Sequence, residues 1–565
     1  MVTRLYFPTT FFNIMYSIYI MNLGLKILLF NLITGILVLN ATESGAVPHQ
    51  DIQFKIFPER GQLHSRVMII NPGSNRFRLN SDMVIARMKA DGKPVSFQTA
   101  KLDQNITEFT LAEATPGTIE ISYSGPILAS SYPKVINLVN RIEPDFTELA
   151  GYVQWYPKPA GGYFNFSLEV RLPPSFKVVT NGLLIRERRK LSKWRSFGPV
   201  SDIALVAVAG LKHSRFAKEN YTGDIYYQEL PKSYIDSVQT NLYEAMRFYT
   251  ATFGAPGSEH LVRVVYSPRP GWGYVREPLI IVSENQTLEQ RQMPGGAARD
   301  FQLLAHEIAH YWWKYADPHT PDDWINEGLA EFSSLLAVEK IYSAETAALF
   351  FNDHRQRSMA SQTSVAIAET ENDSPDREIN RYSKTTTLFD RTRSLYGMDK
   401  MENLMCTLYF RFAETGQANT PLFLETVKKI LGQEAEILFT ECLYEERGTI
   451  RETLTKIFCN QIEAQYLGNW SGTLTQAGQD FGVELVLLCE GGVLRPFLNS
   501  PDQAVYDIPV SDLLIANGVF NFSVPAAAAA FRGSLKPADP RTVTGQWLQF
   551  GSSFPLVLKK KHDSY

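Results

Sequence analysis

Two histidines four residues apart are the strongest chemical signal in this sequence. Residues 306 to 310 are His-Glu-Ile-Ala-His, and the stretch around them has a helical apolar pattern without proline. On a helix, His306 and His310 share one face with Cβ atoms about 6 Å apart, so both imidazoles can reach one Zn²⁺ at about 2.0–2.1 Å. Glu307 then points beside the metal, where it can accept a proton from a water bound there. The spacing therefore predicts a site for one zinc ion, with Glu307 as the general base.

A catalytic zinc site also needs a third protein ligand and one open position. Glu327 and Glu331 stand four residues apart in the segment Trp324–Phe332, and on a helix they would share a face. We assign Glu327, which follows His310 with 16 residues between them, to the metal. Glu331 is then placed to accept the outer N–H of a ligand histidine, with a solvent-facing charge as the alternative.

The region around these residues is predicted to be mainly helical. After Gly210 the apolar residues recur every three or four positions, as in Ile235–Tyr249, which is typical of an amphipathic helix. Two strands are predicted near its start, at Leu261–Tyr266 and Leu279–Ser283. Residues 213–465 are therefore expected to form an α-rich domain with a small sheet.

Two of the helices have recognisable start signals. Thr420 is expected to be the N-cap of a helix whose first turn contains Pro421. Asp322 or Asp323 is expected to cap the helix that carries Glu327.

Apolar and polar residues alternate on both sides of the helical region. Between about 50 and 212, as in Phe164–Leu172, the alternation is punctuated by Pro and Gly and predicts antiparallel strands with one wet face. From Trp470 the alternation returns and predicts a small all-β domain that ends near Leu558. The predicted domains are thus residues 47–212, 213–465 and 466–558, with a basic tail at 559–565.

Residues 1–46 are expected to be a targeting segment. Residues 27 to 39 form an apolar run of 13 residues behind Lys26, and small residues follow it. That pattern is typical of a secretory signal peptide, and the run is shorter than the about 20 residues of a membrane span. The alternative is an uncleaved N-terminal anchor, which would be the chain's contact with a membrane. Both interpretations place the protein in the periplasm or outside the cell.

Composition excludes some classes of protein. The chain has 565 residues, of which 44% are hydrophobic and 20% charged, so wholesale disorder is excluded. Its net charge of -4 gives no indication of a phosphate-binding surface, so we expect no nucleic-acid partner.

The four cysteines all lie in the last third of the chain. Cys406, Cys442, Cys459 and Cys489 are too few for a disulfide scaffold and show no C-x-x-C spacing. Three pairings are open to them in an exported protein, and buried free thiols are the favoured interpretation.

The zinc motif belongs to a longer pattern. H-E-x-x-H-x-W followed by N-E-G-x-A resembles the membrane alanyl aminopeptidase family of zinc metallopeptidases, which includes the leukotriene hydrolases. Residues 151–157 and the strand through Leu172 look like the end of that family's N-terminal β saddle, and Arg381-Tyr-Ser-Lys384 looks like its Y-x-K-G segment. The resemblance covers roughly residues 50 to 440. It implies a peptide or protein substrate, and it implies that Tyr382 donates its phenol to the tetrahedral oxyanion.

The resemblance also implies a fold class. We expect a multidomain α+β protein with an N-terminal antiparallel β saddle, a thermolysin-like α-rich catalytic domain and a small C-terminal all-β domain. The last domain looks similar to a β domain appended to some exported serine hydrolases, and we expect it to be accessory.

Three departures from the family pattern bear on function. The family usually leaves 18 residues between the second histidine and the glutamate, against 16 here, and Thr385 replaces the glycine of Y-x-K-G. The family's G-x-M-E-N motif, whose glutamate binds the substrate's α-amine, is degenerate. Counted from Gly273, Arg276 takes the place of that glutamate and Glu277 comes one residue late. A one-residue slip in a strand sends a side chain to the other face, unless a bulge restores it.

The sequence therefore predicts a zinc-dependent metallopeptidase. Removal of N-terminal residues, as in aminopeptidases, is the leading mode, with Gly273, Arg276 and Glu277 as candidate substrate contacts. If Arg276 faces the cleft, it would favour a carboxylate or carbonyl over an ammonium; a rim or ion-paired position is its alternative. A zinc peptidase without aminopeptidase specificity and an inactive peptide-binding relative are the two other hypotheses.

Overall fold

The structure, a computed structural model, describes residues 47–561 with internal gaps. The gaps are 103–104, 113–115, 128–139, 160–161, 257–260, 272, 293–294, 362, 445–456, 459–461, 463, 477, 491–492, 517–518 and 537–538. The described residues fall into two compact units, one up to residue 211 and one from residue 212 onward. The predicted targeting segment and the end of the basic tail lie outside the described residues, and the three-domain division stays a prediction.

The first unit is built of strands. They are β1 His49–Phe57, β2 Gln62–Ile70, β3 Arg76–Asn80, β4 Val84–Ala90, β5 Lys93–Pro94, β6 Phe97–Lys101, β7 Ile106–Leu111, β8 Thr118–Pro126, β9 Arg141–Ile142, β10 Phe146–Leu149, β11 Lys158–Pro159, β12 Asn165–Arg171, β13 Phe176–Thr180, β14 Leu183–Arg188, β15 Leu191–Arg195 and β16 Leu205–Ala209. They form an eight-stranded sheet in the order β14-β15-β12-β1-β2-β8-β4-β5 and two four-stranded sheets, β13-β16-β10-β9 and β11-β3-β7-β6.

Alternation of apolar residues explains why these segments are strands. In β12, Phe166, Leu168 and Val170 are buried while the residues between them are partly exposed. Period-two burial of this kind gives each strand one face for the core and one for water. The pairing is antiparallel as predicted, with one difference: β1 and β12 run parallel.

The second unit begins with a five-stranded sheet and continues with helices. Its first strands are β17 Lys212–Lys218, β18 Tyr221–Tyr227, β19 Leu261–Ser267, β20 Gly273–Arg276 and β21 Leu279–Ser283. The helices are α1 Lys232–Phe253, α2 Glu284–Gln290, α3 Gly296–Ala309, α4 Trp324–Ile341, α5 Ala344–Ala360, α6 Thr385–Tyr396, α7 Met398–Thr415, α8 Thr420–Leu431 and α9 Gln433–Tyr444. A π-helix at Ile379–Lys384 runs directly into α6.

The small sheet has a buried centre, and strand β20 forms one of its edges. Its order is β17-β18-β19-β21-β20, and β19 and β21 are buried at every residue. Both strands are mainly apolar, as expected for the centre of a sheet, and the buried Arg263 in β19 lies near the Asp224 carboxylate. β20 pairs with β21 in an antiparallel hairpin and forms one edge of the sheet. The predicted strands at 261 and 279 are confirmed.

Helix α4 runs through the core of this unit. Of its residues from Trp324 to Val338, only Glu327 is not buried. A helix that is buried on all sides is expected to be mainly apolar. The few polar residues of α4 are therefore exceptions to that pattern. The predicted helix around Ile235–Tyr249 is confirmed as well.

The predicted helix caps are wrong. The N-cap of α8 is Asn419, whose side-chain oxygen accepts from the Leu422 N–H at 2.9 Å, whereas Thr420 is already the first helical residue. Asp323 stands before α4 with helical backbone angles and makes no side-chain cap, because a 3₁₀ turn at Pro321–Asp323 leads into the helix. Its carboxylate accepts instead from the buried guanidinium of Arg381 at 2.7 Å.

The C-terminal part of the chain is all-β, as predicted, and its strands form one antiparallel sheet. Its strands are β22 Ile457–Phe458, β23 Gly468–Gln476, β24 Gln479–Glu490, β25 Val493–Ser500, β26 Val505–Pro509, β27 Ser511–Ala516, β28 Val519–Val524, β29 Ala529–Lys536, β30 Asp539–Gln549 and β31 Ser552–Lys560. They follow the order β22-β25-β24-β23-β31-β30-β29-β28-β27, with β26 on β25. Among the helices of the described residues, none is long and apolar enough to cross a bilayer.

The cysteines differ in state. Cys442 is a buried free thiol and Cys406 a partly buried one. Cys489 is disulfide-bonded, so the expectation of free thiols is wrong for that residue.

Candidate active site

Three side-chain atoms from two helices converge on one point. His306 lies in the last turn of α3 and His310 directly follows that helix, while Glu327 lies in the first turn of α4. The two Nε2 atoms are 3.2 Å apart, and Glu327 Oε2 lies 3.4 Å from that of His306 and 3.5 Å from that of His310. The three atoms thus form a nearly equilateral triangle.

The outer nitrogen of each histidine is held by a hydrogen bond. His306 Nδ1 donates to Glu331 Oε2 at 2.7 Å, and His310 Nδ1 donates to the Trp313 carbonyl at 3.0 Å. A ring that donates from Nδ1 leaves the lone pair of Nε2 free when it is neutral. Both lone pairs therefore point into the triangle.

These donors fit a zinc ion. Ligand atoms at about 2.0–2.1 Å from a tetrahedral zinc are about 3.3–3.4 Å from one another, which is close to the three distances seen here. Two imidazoles and one carboxylate are also an established donor set for catalytic zinc. Burial disfavours a charged Glu327, but its contacts with His306 and His310 outweigh this and hold its pKa well below the ordinary value.

Glu307 lies beside the triangle and not in it. It is 6% exposed, and burial raises the pKa of its carboxyl above the ordinary value. A Cβ built on Gly273 would stand 3.5 Å from Glu307 Oε1, so strand β20 passes close to this carboxylate. A buried acid with a raised pKa is suited to accept and return a proton near neutral pH.

Tyr382 reaches the site from the π-helix. Its ring centroid is 5.8 Å from that of His306, and the two rings are nearly parallel. Burial, with the negative charge of Glu327, raises the pKa of the phenol well above its ordinary value. Tyr382 is therefore a protonated hydrogen-bond donor, and π-turns of this kind are frequent at functional sites.

A close contact between two helices fixes the position of the π-helix. A Cβ on Gly328 of α4 would stand 2.7 Å from Thr385 Oγ1 and 3.3 Å from the Arg381 carbonyl. Thr385 donates its hydroxyl to that same carbonyl. The departure from glycine at Thr385 is thus accommodated by Gly328 on the facing helix.

Glu277 lies in the turn that follows strand β20 and is ion-paired. Strand β20 ends at Arg276, which pairs with Leu279 without a bulge, and Glu277 lies in the two-residue turn. The Glu277 carboxylate forms an ion pair with Lys314. Arg276 donates from Nη1 to the Val275 carbonyl at 2.7 Å, and its guanidinium lies 5.6 Å from the centre of the Tyr274 ring.

Two residues near the site escaped the sequence analysis. Arg377 Nη2 lies 3.6 Å from Glu327 Oε1 and 3.6 Å from Asp323 Oδ2, so this cation stands behind the second oxygen of Glu327. His354 Nε2 lies 2.9 Å from Glu331 Oε1. Neither residue belongs to a local motif, and both reach the site through tertiary packing.

Solved structures show what the fold resembles. No protein-family model matches the chain, and no curated protein sequence does. An M1 zinc metallopeptidase from Deinococcus radiodurans aligns with a TM-score of 0.56 at 17% identity, over 71% of this chain and 95% of that one. A variant of it bound to a Tyr-Ser-Ala substrate gives 0.55 at 18%, over 71% and 95%. Yeast LTA4 hydrolase gives 0.54 at 14%, over 72% and 69%.

The chain has the fold of the M1 zinc metallopeptidases. The predicted fold class is thereby confirmed, and so is the resemblance to the alanyl aminopeptidase and leukotriene hydrolase family at the level of fold. On this M1 fold the structure brings together His306, His310, Glu327, Glu307, Glu331 and Tyr382, and it places Glu277 in an ion pair with Lys314.

Proposed function

We propose that this protein is a zinc-dependent peptide hydrolase. The observation that carries the proposal is the triangle of His306, His310 and Glu327, which has the spacing of tetrahedral zinc ligands. The M1 fold of the chain supports the same conclusion. A bound zinc ion would supply Lewis acidity and would lower the pKa of a water molecule toward neutrality.

Three residues around the triangle carry out proton transfer, oxyanion stabilisation and orientation of a ligand histidine. Glu307 takes a proton from the attacking water and passes it to the leaving amine, because it is the buried acid next to the ligands. Tyr382 donates its phenolic proton in a hydrogen bond to the developing oxyanion. Glu331 keeps His306 in the tautomer that presents Nε2 to the metal.

A peptide substrate would lie along strand β20. This strand forms one edge of its sheet, and a peptide can bind to a sheet by pairing with an edge strand. Gly273 brings the strand close to Glu307, because no side chain stands between them. A peptide paired with β20 would therefore present its carbonyl groups beside the general base.

Two modes of peptide hydrolysis follow from different observations. The M1 fold favours removal of N-terminal residues, which requires an acid that binds the substrate's α-amine. The Glu277–Lys314 ion pair favours a second mode, in which the enzyme cleaves peptides with blocked N-termini or cleaves peptides internally. The reason is that Lys314 pairs with Glu277, the acid that comes one residue after the family's anchor position in the sequence.

One pair of substrates separates these modes. The same peptide is offered with a free and with an acetylated N-terminus, and kcat/KM is measured for both. The second mode predicts that the acetylated peptide is cleaved at least as fast as the free one. If only the peptide with a free N-terminus is cleaved, the aminopeptidase mode is supported instead.

Substitution of the general base tests the proposal as a whole. Glu307→Gln keeps the shape of the side chain and removes its basicity, so kcat is expected to fall about 10²–10⁴-fold. The variant should still bind one zinc ion per chain by elemental analysis. Glu402→Gln, at an exposed position of α7, is the matched control and should keep full activity. Wild-type activity in Glu307→Gln would refute the mechanism, and a zinc-loaded wild type inert on a peptide library would indicate a peptide-binding relative.

We also propose that the protein is exported. The apolar run at residues 27 to 39 supports this, as does the disulfide of Cys489, because disulfides persist in oxidising compartments. Separation of periplasm, medium and cytosol followed by immunoblotting would test it, and a purely cytosolic protein would contradict it.

A further inference from the structure

Glu331 is shared between two histidines. Its Oε2 accepts from His306 Nδ1 at 2.7 Å, while Oε1 lies 2.9 Å from His354 Nε2 and 3.0 Å from Gln302 Nε2. Glu331 is 7% exposed and His354 is 9% exposed. A carboxylate only accepts hydrogen bonds, so both histidine nitrogens that face it must carry a hydrogen.

The other side of His354 reaches the π-helix. His354 Nδ1 lies 3.3 Å from the hydroxyl oxygen of Ser383, the residue that follows Tyr382. Because a neutral His354 carries its hydrogen on Nε2, its Nδ1 accepts, and Ser383 donates. A continuous hydrogen-bonded path therefore runs from a ligand histidine to the neighbour of Tyr382.

The backbone on both sides of this path is also fixed. Ser358 donates its hydroxyl to the His354 carbonyl at 2.7 Å and contacts the hydroxyl of Thr387 at 3.0 Å. Thr387 in turn donates to the Ser383 carbonyl at 2.7 Å. Helix α5 and the first turn of α6, directly after the π-helix, are therefore in contact about one turn beyond His354.

We propose that His354 is a positioning residue that holds the outer partner of His306 and the turn carrying Tyr382 in one fixed arrangement. Without His354, Gln302 is the one remaining partner of Glu331 Oε1 among the described residues, and Glu331 can rotate away from His306. Residues that orient a ligand histidine typically change metal affinity about 10–100-fold when they are replaced. The effect on Tyr382 rests on the proposed function, whereas the effect on metal affinity does not.

Zinc affinity is the first readout. It is measured on the full chain without substrate, by competition with a chromogenic chelator. His354→Leu is expected to weaken zinc binding about 10-fold. His354→Gln should recover most of this affinity, because its amide can donate to Glu331 and accept from Ser383. His213→Leu is the matched control: His213 makes a similar 2.9 Å contact with Asp224 but is not connected to the ligands, so its zinc affinity should be unchanged.

The tyrosine side of the path is tested separately. Ser383→Ala removes the donor to His354 Nδ1 and leaves the contact with Glu331 intact. It is expected to lower kcat several-fold with KM unchanged, and to keep zinc affinity within twofold of the wild type. A purely structural role for His354 would not produce this division between the two readouts.

The results that would overturn the proposal are specific. Zinc affinity within twofold of the wild type in both His354→Leu and His354→Gln would refute it. If His354→Leu does not fold, Ser383→Ala decides: wild-type kcat in this variant would also refute the proposal. If the wild type cleaves no peptide, the proposed function fails, but the zinc affinities still decide the role of His354.

Discussion

Asp300 is a buried acid that the proposed mechanism does not use. It lies on α3, six positions before His306, and is 5% exposed. Its carboxyl oxygens are poorly hydrogen-bonded among the described residues, with the Tyr234 hydroxyl as the nearby polar group. Burial raises its pKa from 3.8 to about 7, although the nearby Tyr234 hydroxyl and the Arg291 charge reduce the shift.

The raised pKa of Asp300 predicts the direction in which the free energy of unfolding changes with pH. In the unfolded chain Asp300 ionises near pH 3.8, whereas in the folded protein it stays protonated to about pH 7. The folded state therefore loses stability as the pH rises through this window, and the loss is complete above about pH 7. The shift corresponds to about 4 kcal/mol if water is fully excluded, and we expect about half of this because water partly screens the charge.

Asp300→Asn removes this penalty, because the amide has nearly the same shape and no charge. At pH 8 the variant should be more stable than the wild type by about 1–2 kcal/mol, which raises Tm by a few degrees. At pH 5 the advantage should be less than half as large, because only about one of the roughly three pH units between the unfolded and folded pKa values of Asp300 has then been crossed. The assay is thermal unfolding of both proteins at the two pH values with saturating zinc, so that loss of the metal affects both equally. A variant that is less stable at pH 8, or one whose advantage is the same at both pH values, would refute the reasoning.

Three further predictions concern the site itself. Gly328→Ala should destabilise the protein by about 1–3 kcal/mol and lower kcat, because its Cβ would stand 2.7 Å from Thr385 Oγ1 and would push the π-helix away; unchanged unfolding and kinetics would contradict this contact. Tyr382→Phe should lower kcat about 10²–10³-fold with zinc affinity unchanged, as measured by steady-state kinetics and chelator competition; full activity would exclude the phenol as oxyanion donor. Zinc at 100 times its Kd should stabilise the folded chain by about 2.7 kcal/mol in a thermal-shift assay, and His306→Ala should lose that increase; equal increases in both proteins would place the metal elsewhere.

The metal triangle could be predicted from the sequence because its determinants are local. His306 and His310 are one helical turn apart, and Glu327 follows at the start of the next long helix. Helical periodicity alone then places the ligand atoms on two faces that can meet. The same periodicity predicts that Glu331, four residues beyond Glu327, faces a ligand histidine. In the structure Glu331 contacts His306.

Tyr382 was found through a family resemblance and not through its own spacing. It reaches the site from a π-helix, whose geometry has no reliable sequence signal, and its approach depends on the absence of a side chain at Gly328. His354 and Arg377 were missed for a related reason. Each acts through one long-range contact, with Glu331 and Glu327 respectively, and such contacts appear only once the helices are packed.

The state of Glu277 was also beyond the sequence. Strand periodicity predicted that a one-residue slip would move the acid out of its place, but not which cation would neutralise it. Lys314 is 37 positions away and lies in the segment after α3. The pairing depends on how the turn after β20 packs against that segment.

Strand β20 is short for an edge strand. Its four residues offer about 13 Å of backbone, which is roughly the length of four extended residues of another chain. Long, flat edges recruit strands from neighbouring molecules and promote aggregation, and proteins often avoid this by keeping exposed edges short. With four residues, β20 is thus a poor template for self-association, and its length corresponds to a brief extended segment rather than to a long strand.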